Sequence, residues 1–98
     1  FHKYMLHASN RDDLNLQQSY FIGQLLLENS DNMEYTINYF YKMKMEYPNI
    51  FEITLGLCQA YFKAGRNDMA IKIIENWIIS HPNDNEAKEW LQLIKNQT

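Results

Sequence analysis

The residues of this chain that could do covalent, acid–base or metal chemistry are few and scattered. Its histidines are His2, His7 and His81. None pairs at i, i+4 with another, and none has the glutamate neighbour of a helical zinc-protease motif, so solvated surface is their expected place. Cys58 is the only cysteine, so no disulfide within the chain and no cysteine-based zinc site can form. It sits in an apolar stretch, where burial raises a thiol's pKa and suppresses its nucleophilicity, so a structural thiol is expected. Asp12-Asp13 reads as a helix cap, because a calcium loop needs further oxygen ligands at alternate positions and a glycine. Asn96-Gln97-Thr98 has the form of a glycosylation acceptor, a pattern short enough to arise by chance. No Gly-rich phosphate loop is present. No catalytic residue, cofactor or metal ligand is expected, and the chain does not read as an enzyme.

Composition narrows the partners. Net charge is −3, and the most basic stretch, Lys42 to Lys44, is followed at once by Glu46. Nucleic-acid binding needs a basic stripe, so no nucleic-acid partner is expected. No apolar run approaches the roughly 20 residues that span a bilayer; Ile71 to Ile79 is interrupted by Lys72, Glu75 and Asn76. Membrane insertion by this segment is therefore not expected. The single cysteine favours a reducing, cytoplasmic compartment. A chain of 98 residues suits one small domain, and 46% hydrophobic residues is ample for a core. Starting at Phe1 rather than Met, it reads as a piece of a longer protein.

The elements that must position any site show in a repeated motif. Pro48-Asn49-Ile50-Phe51-Glu52 recurs as Pro82-Asn83-Asp84-Asn85-Glu86, with Pro, Asn and Glu each displaced by 34, and these are the only prolines. A 34-residue period marks helix–turn–helix repeats. Residues 51–64 read as a helix, with Asn49 as N-cap, Glu52 completing a capping box, and Leu57, Tyr61 and Ala64 on one face. Gly65 takes the left-handed position that ends it. A second helix runs from about Asp68 to Ser80 behind an Asn67 cap, with Ala70, Ile71, Ile74, Trp77 and Ile78 as its apolar stripe. The short turn makes the pair antiparallel. Residues 13–50 repeat the scheme less cleanly: a helix from about Leu14 to Glu28, the turn Asn29-Ser30-Asp31, an Asp31/Glu34 cap, and a helix to about Tyr47. Residues 86–95 form a last helix bearing Ala87, Trp90, Leu91 and Ile94. Residues 1–12 read as an ordered N-terminal segment or the tail of an earlier helix, with Phe1, Tyr4, Met5 and Ala8 on one side.

The unit 51–84 resembles a tetratricopeptide repeat. Counting from Phe51, Leu57, Cys58 and Tyr61 stand where that family has apolar, small and aromatic residues, and Ala70, Ile74 and Pro82 where it has small, apolar and proline; Gly65 matches its turn glycine. The unit 17–50 is degenerate. Tyr20, Leu27, Phe40 and Pro48 fit, but Gly23-Gln24 replaces the apolar–small pair. Shifting its first helix by one restores Ile22-Gly23 and Leu26, and is the preferred register, with Gly23 packing opposite Thr36. Met43 and Trp77 stand at a position where the family is small, so they are expected to wedge the second helix of each unit away from the helix that follows. The resemblance covers about residues 14–95. It implies an all-α fold of antiparallel helix–turn–helix repeats stacked as a short right-handed α-solenoid, divided into a degenerate repeat at 13–50, a well-matched repeat at 51–84, and a capping helix with a frayed end at 85–98.

The resemblance also implies a function. Such stacks bind a peptide or helix of another protein on a concave face lined by their first helices. The positions facing that groove are Glu52, Leu55, Gln59, Phe62 and Lys63 in the good repeat, with Phe21, Leu25 and Glu28 before it and Glu86, Glu89 and Leu93 after it. Some members clamp a chaperone's C-terminal carboxylate with Lys, Arg and Asn. Here Leu55, Gly56, Gln59, Glu86 and Trp90 stand instead, and glutamate repels a carboxylate, so that partner is not expected. Tyr35, Tyr39, Phe40, Tyr41, Met43, Met45 and Tyr47 crowd one helix and cannot all face one core. They point either to a lost flanking repeat or to a self-associating or regulatory module of a larger enzyme, with a homo-oligomer as one form. The stretch Asn85-Glu86-Ala87-Lys88-Glu89 with Leu91 and Ile94 is also similar to the end of mitochondrial fission adaptors of this fold.

Overall fold

A computed structural model describes residues 13–29 and 31–97, and these form five α-helices with no strand among them. The helices are α1 (Asp13–Asn29), α2 (Met33–Glu46), α3 (Phe51–Lys63), α4 (Asn67–Ser80) and α5 (Asn85–Asn96). The limits fall within a residue or two of those read from periodicity and turn residues. The helix tail read in residues 1–8, His2, His7, the Asp12 cap and Thr98 of the sequon lie outside the described residues.

Each helix packs on the next in the chain, and α1 also reaches α3. Helix α3 is the spine. Ile53, Leu57 and Ala60 join Leu16, Tyr20 and Leu27 of α1 and Ile37, Phe40 and Met43 of α2 in one core. Cys58, on another face of α3, joins Ala70, Ile74 and Trp77 of α4 and Ala87 and Ile94 of α5 in a second. Tyr61 and Ile73 pack against both, so the two cores are continuous through α3.

The tightest approach centres on Phe40, which is wholly buried. Its ring lies between two glycines. A Cβ on Gly23 of α1 would fall 2.6 Å from Cζ, and one on Gly56 of α3 would fall 2.6 Å from Cδ1 and closer still to Cε1. No real Cβ contact is that short, so only glycine lets both helices close on the ring. This corrects the expected register of α1. Gly23 meets the Phe40 ring, and Tyr20, Gly23, Gln24 and Leu27 turn inward while Ile22 stays 47% exposed. The flat surface that the ring requires outweighs the preference for burying Ile22 over Gln24, which is only 9% exposed.

Helix ends differ from expectation in their caps. Ile50, not Asn49, is the N-cap of α3 and offers no side-chain bond; Arg66, not Asn67, is that of α4. Before α2 the cap is Asn32 rather than Asp31, its side chain accepting from the Tyr35 N–H at 3.4 Å. The expected end of α3 is present. Gly65 has φ +80°, its N–H donates to Phe62 O at 3.0 Å, and the Arg66 N–H donates to Tyr61 O at 2.9 Å. That paired pattern is a Schellman motif, which satisfies two of the helix's last carbonyls.

The aromatic crowding on α2 sorts by face. Phe40 and Met43 are buried, Tyr39 and Tyr47 half-buried, and Tyr35, Tyr41 and Met45 exposed. Tyr39 also ties α2 to α1, its hydroxyl donating to Ser19 O at 2.9 Å.

Alanine in place of a mid-helix glycine ordinarily stabilises by about 0.5–1 kcal/mol. At Gly56 the sign is expected to reverse: Gly56→Ala costs about 1–3 kcal/mol, because the ring it strikes is held from the other side by Gly23 and overpacking of this kind carries that cost. Denaturant unfolding measures it. Combining Gly56→Ala with Phe40→Leu is expected to cost less than the sum of the two, and strict additivity rules out the shared contact.

Candidate functional site

Helices α1, α3 and α5 contribute side chains to a run of adjoining recesses. Gln24, Leu27 and Glu28 of α1, Gln59, Phe62 and Lys63 of α3, and Trp90 of α5 line the first, of about 320 Å³. Gln59, Phe62, Trp90, Leu93, Ile94 and Gln97 enclose a second of about 190 Å³ with almost wholly apolar walls. Glu86, Glu89, Trp90 and Leu93 border a third of about 320 Å³. Trp90 lines all three, and Leu93 the last two.

Of the residues expected from sequence, Glu28, Gln59, Phe62 and Lys63 meet in the first recess, and Glu86, Glu89 and Leu93 border the others. Phe62 is half-buried and packs on the second core, so it is both wall and support. Glu52 and Leu55 are half-buried nearer the start of α3, and Glu52 lies close enough to Tyr20 to act on it electrostatically. Phe21 and Leu25 are 43% and 37% exposed on α1, but Leu25 borders a separate shallow recess with Ile22, Leu26 and Asn29. Lys63 is exposed, yet its ammonium donates to Leu27 O at 2.6 Å. That carbonyl belongs to the last turn of α1, which has no intrahelical donor of its own, so Lys63 fastens α1 to α3 as well as lining the recess. Trp90, Gln24, Ile94 and Gln97 were not among the expected groove residues. The signal for Trp90 was the spacing Glu86, Glu89, Trp90, Leu93 and Gln97, which follows one helical face.

Asp84 sets where α5 stands. One carboxylate oxygen accepts from the Ala87 N–H at 3.0 Å, as an N-cap, and the other accepts from the Trp77 indole N–H at 2.8 Å. Trp77 in turn is buried, packs beside Phe51 at 5.3 Å between centroids, and stacks on His81 at 3.8 Å with the planes 10° apart. His81 therefore departs from the expected solvated histidine. It is the C-cap of α4, half-buried against the indole, with Nδ1 3.1 Å from Trp77 O. The aromatic face of Trp77 draws the ring inward from the turn.

Cys58 is fully buried, and its thiol donates to Ala70 O at 3.4 Å. Burial pushes its pKa up to about 12, so it holds no thiolate near neutral pH. Tyr20 is likewise pushed up to about 12, first by burial and then by the Glu52 carboxylate. Among the described residues no group of three His, Cys, Asp or Glu side chains is placed to hold a metal ion, and no helix is long and apolar enough to cross a membrane. No family model, curated protein or solved structure matches the chain.

Two outcomes follow from this geometry. Asp84→Ala removes the cap of α5 and leaves the Trp77 indole without its acceptor, so it is expected to cost about 1–3 kcal/mol in thermal or denaturant unfolding. Asp84→Asn, which keeps acceptor oxygen, is expected to recover part of that loss. The second outcome concerns pH. Cys58 and Tyr20 ionise more readily unfolded than folded, so their contribution is complete below pH 9, declines as pH rises from about 9 to 12, and is gone above. Melting temperature is expected to fall across that window, and Cys58→Ala is expected to make the fall shallower.

Proposed function

We propose that this chain is a protein-interaction module of tetratricopeptide type. In this reading the helix pairs α1–α2 and α3–α4 are two antiparallel repeats of a short right-handed solenoid, α5 caps them, and a peptide or helix of a partner protein lies along the face lined by α1, α3 and α5. The observation that carries the reading is the shared wall: Gln59 and Phe62 of α3 face Trp90 and Leu93 of α5 across a recess with almost no polar lining. Pockets of this kind, apolar with a few amides at the margin, are what binding sites use. Helices in the first position of each pair supplying that wall is what the 34-residue repeat implies.

A second reading is supported by the outer face of α1. Phe21, Ile22 and Leu25 are all exposed there. A patch of neighbouring large apolar side chains marks contact surfaces, and it supports self-association as a regulatory module of a larger protein.

The two are separated by variants and by sedimentation. Leu55→Arg with Phe62→Glu, or Leu93→Glu alone, is expected to reduce partner capture at least tenfold, while Tyr41→Glu with Met45→Glu on α2 leaves it intact. Circular dichroism establishes that each variant is folded. Undiminished capture by a folded groove variant removes the groove from the account. Sedimentation of the wild type as a monomer at high concentration removes self-association, and a dimer dissolved by Ile22→Glu favours it.

A further inference from the structure

The groove of the proposed module has two chemically different ends, and their order along α5 points to one class of ligand. Toward the end of the helix, Phe62, Leu93, Ile94 and the indole of Trp90 enclose the apolar recess of about 190 Å³. An apolar cavity of about 150 Å³ takes a benzene ring, so this one suits a single aromatic or branched aliphatic side chain. Toward the start of the helix, Glu86 and Glu89 border the adjoining recess, which shares Trp90 and Leu93 with the first. Both glutamates are exposed. Lys63, the cation lining the α1-side recess, already donates its ammonium to Leu27 O.

We infer that the ligand is a peptide segment carrying one large apolar side chain with a lysine or arginine a short distance away, the apolar group in the Phe62–Leu93–Ile94 recess and the cation between Glu86, Glu89 and the face of Trp90. Charge complementarity selects the cation and rejects an acidic neighbour, and an indole adds attraction for a positive charge above its ring. The spacing follows from the helix. Glu86 and Glu89 centre six residues before Leu93 and Ile94, roughly 9 Å at 1.5 Å per residue. An extended peptide covers that distance in about three residues.

This inference rests on the protein-interaction reading above, and its test keeps the two apart. Fluorescein-labelled peptides are titrated against the 98-residue chain by anisotropy. One carries phenylalanine with arginine three residues away, made in both chain orders; its twins replace arginine by glutamate, or phenylalanine by alanine. At 50 mM salt the arginine peptide is expected to bind about tenfold tighter than the glutamate twin, and the alanine twin to bind weakest. The tenfold ratio is expected to approach one at 500 mM salt, where screening is short-ranged, and also in Glu86→Gln with Glu89→Gln. Arginine and glutamate peptides binding alike, or a ratio unchanged by the two glutamine substitutions, overturns the inference. If they bind alike yet Leu93→Glu abolishes both, the groove stands and only the charge preference falls. If no peptide binds, the inference falls and the groove is left to the partner-capture test; if peptides bind and Leu93→Glu changes nothing, both readings fall. A dimer that Leu93→Glu dissolves assigns the recess to a second copy and also overturns the inference.

Discussion

One aromatic ring between two glycines governs how the first three helices meet. Phe40 projects from α2 into the angle between α1 and α3, and Gly23 and Gly56 are the surfaces it meets there. Because each helix approaches the ring at a residue without a side chain, the rotation of α1 about its own axis is settled at that contact. Tyr20, Gln24 and Leu27 turn inward with Gly23, and Ile22 turns out. The Tyr39 hydroxyl on Ser19 O and the Lys63 ammonium on Leu27 O then hold α1 at two further levels. The half of the candidate groove formed by Gln24, Leu27 and Glu28 therefore depends on the contact of Gly23 with Phe40.

The second half of the molecule is organised by polar groups around an indole. Trp77 is large where a small residue was expected, and the turn from α4 to α5 closes around it. His81 covers one face and Asp84 accepts its N–H. An indole N–H buried without an acceptor carries a penalty of about 1–3 kcal/mol. Asp84 removes that penalty and caps α5 with its other oxygen. Cys58 and Ala70, fully buried and small, let α3 and α4 approach behind it.

The all-helical character, the five helices and most of their apolar faces were legible from periodicity, two prolines and Gly65. What was not legible is informative about why. The shifted register, preferred for restoring Ile22-Gly23 and setting Gly23 opposite Thr36, gives the wrong face of α1, because the deciding term is steric and belongs to Phe40, 17 residues beyond Gly23. The caps at Asn49, Asn67 and Asp31 failed by one residue each: Ile50 and Arg66 hold the first two positions with no side-chain bond, so the path of the turn and not capping chemistry selects them. His81 was misplaced because stacking on Trp77 leaves no mark on a single residue's hydrophilicity. Trp90 was read as one of the apolar residues of the last helix; that it walls the recess was signalled only by its sharing a face with Glu86, Glu89 and Leu93. Gln59, Phe62 and Lys63, by contrast, followed from the repeat register and do come together.

Asp84 acts at the pivot of the outermost helix. Both of its carboxylate oxygens are engaged, one on α4 and one on α5, so a single side chain fixes the angle at which Trp90 and Leu93 confront Phe62. The opening between α3 and α5 is thus set in part by one carboxylate at the turn, and a ligand of the proposed groove would meet a width that this residue helps to define. If the proposed groove binds a ligand and losing that restraint lets α5 swing to wider angles, apparent affinity would drop by the fraction of time spent in them, even with every groove residue unchanged.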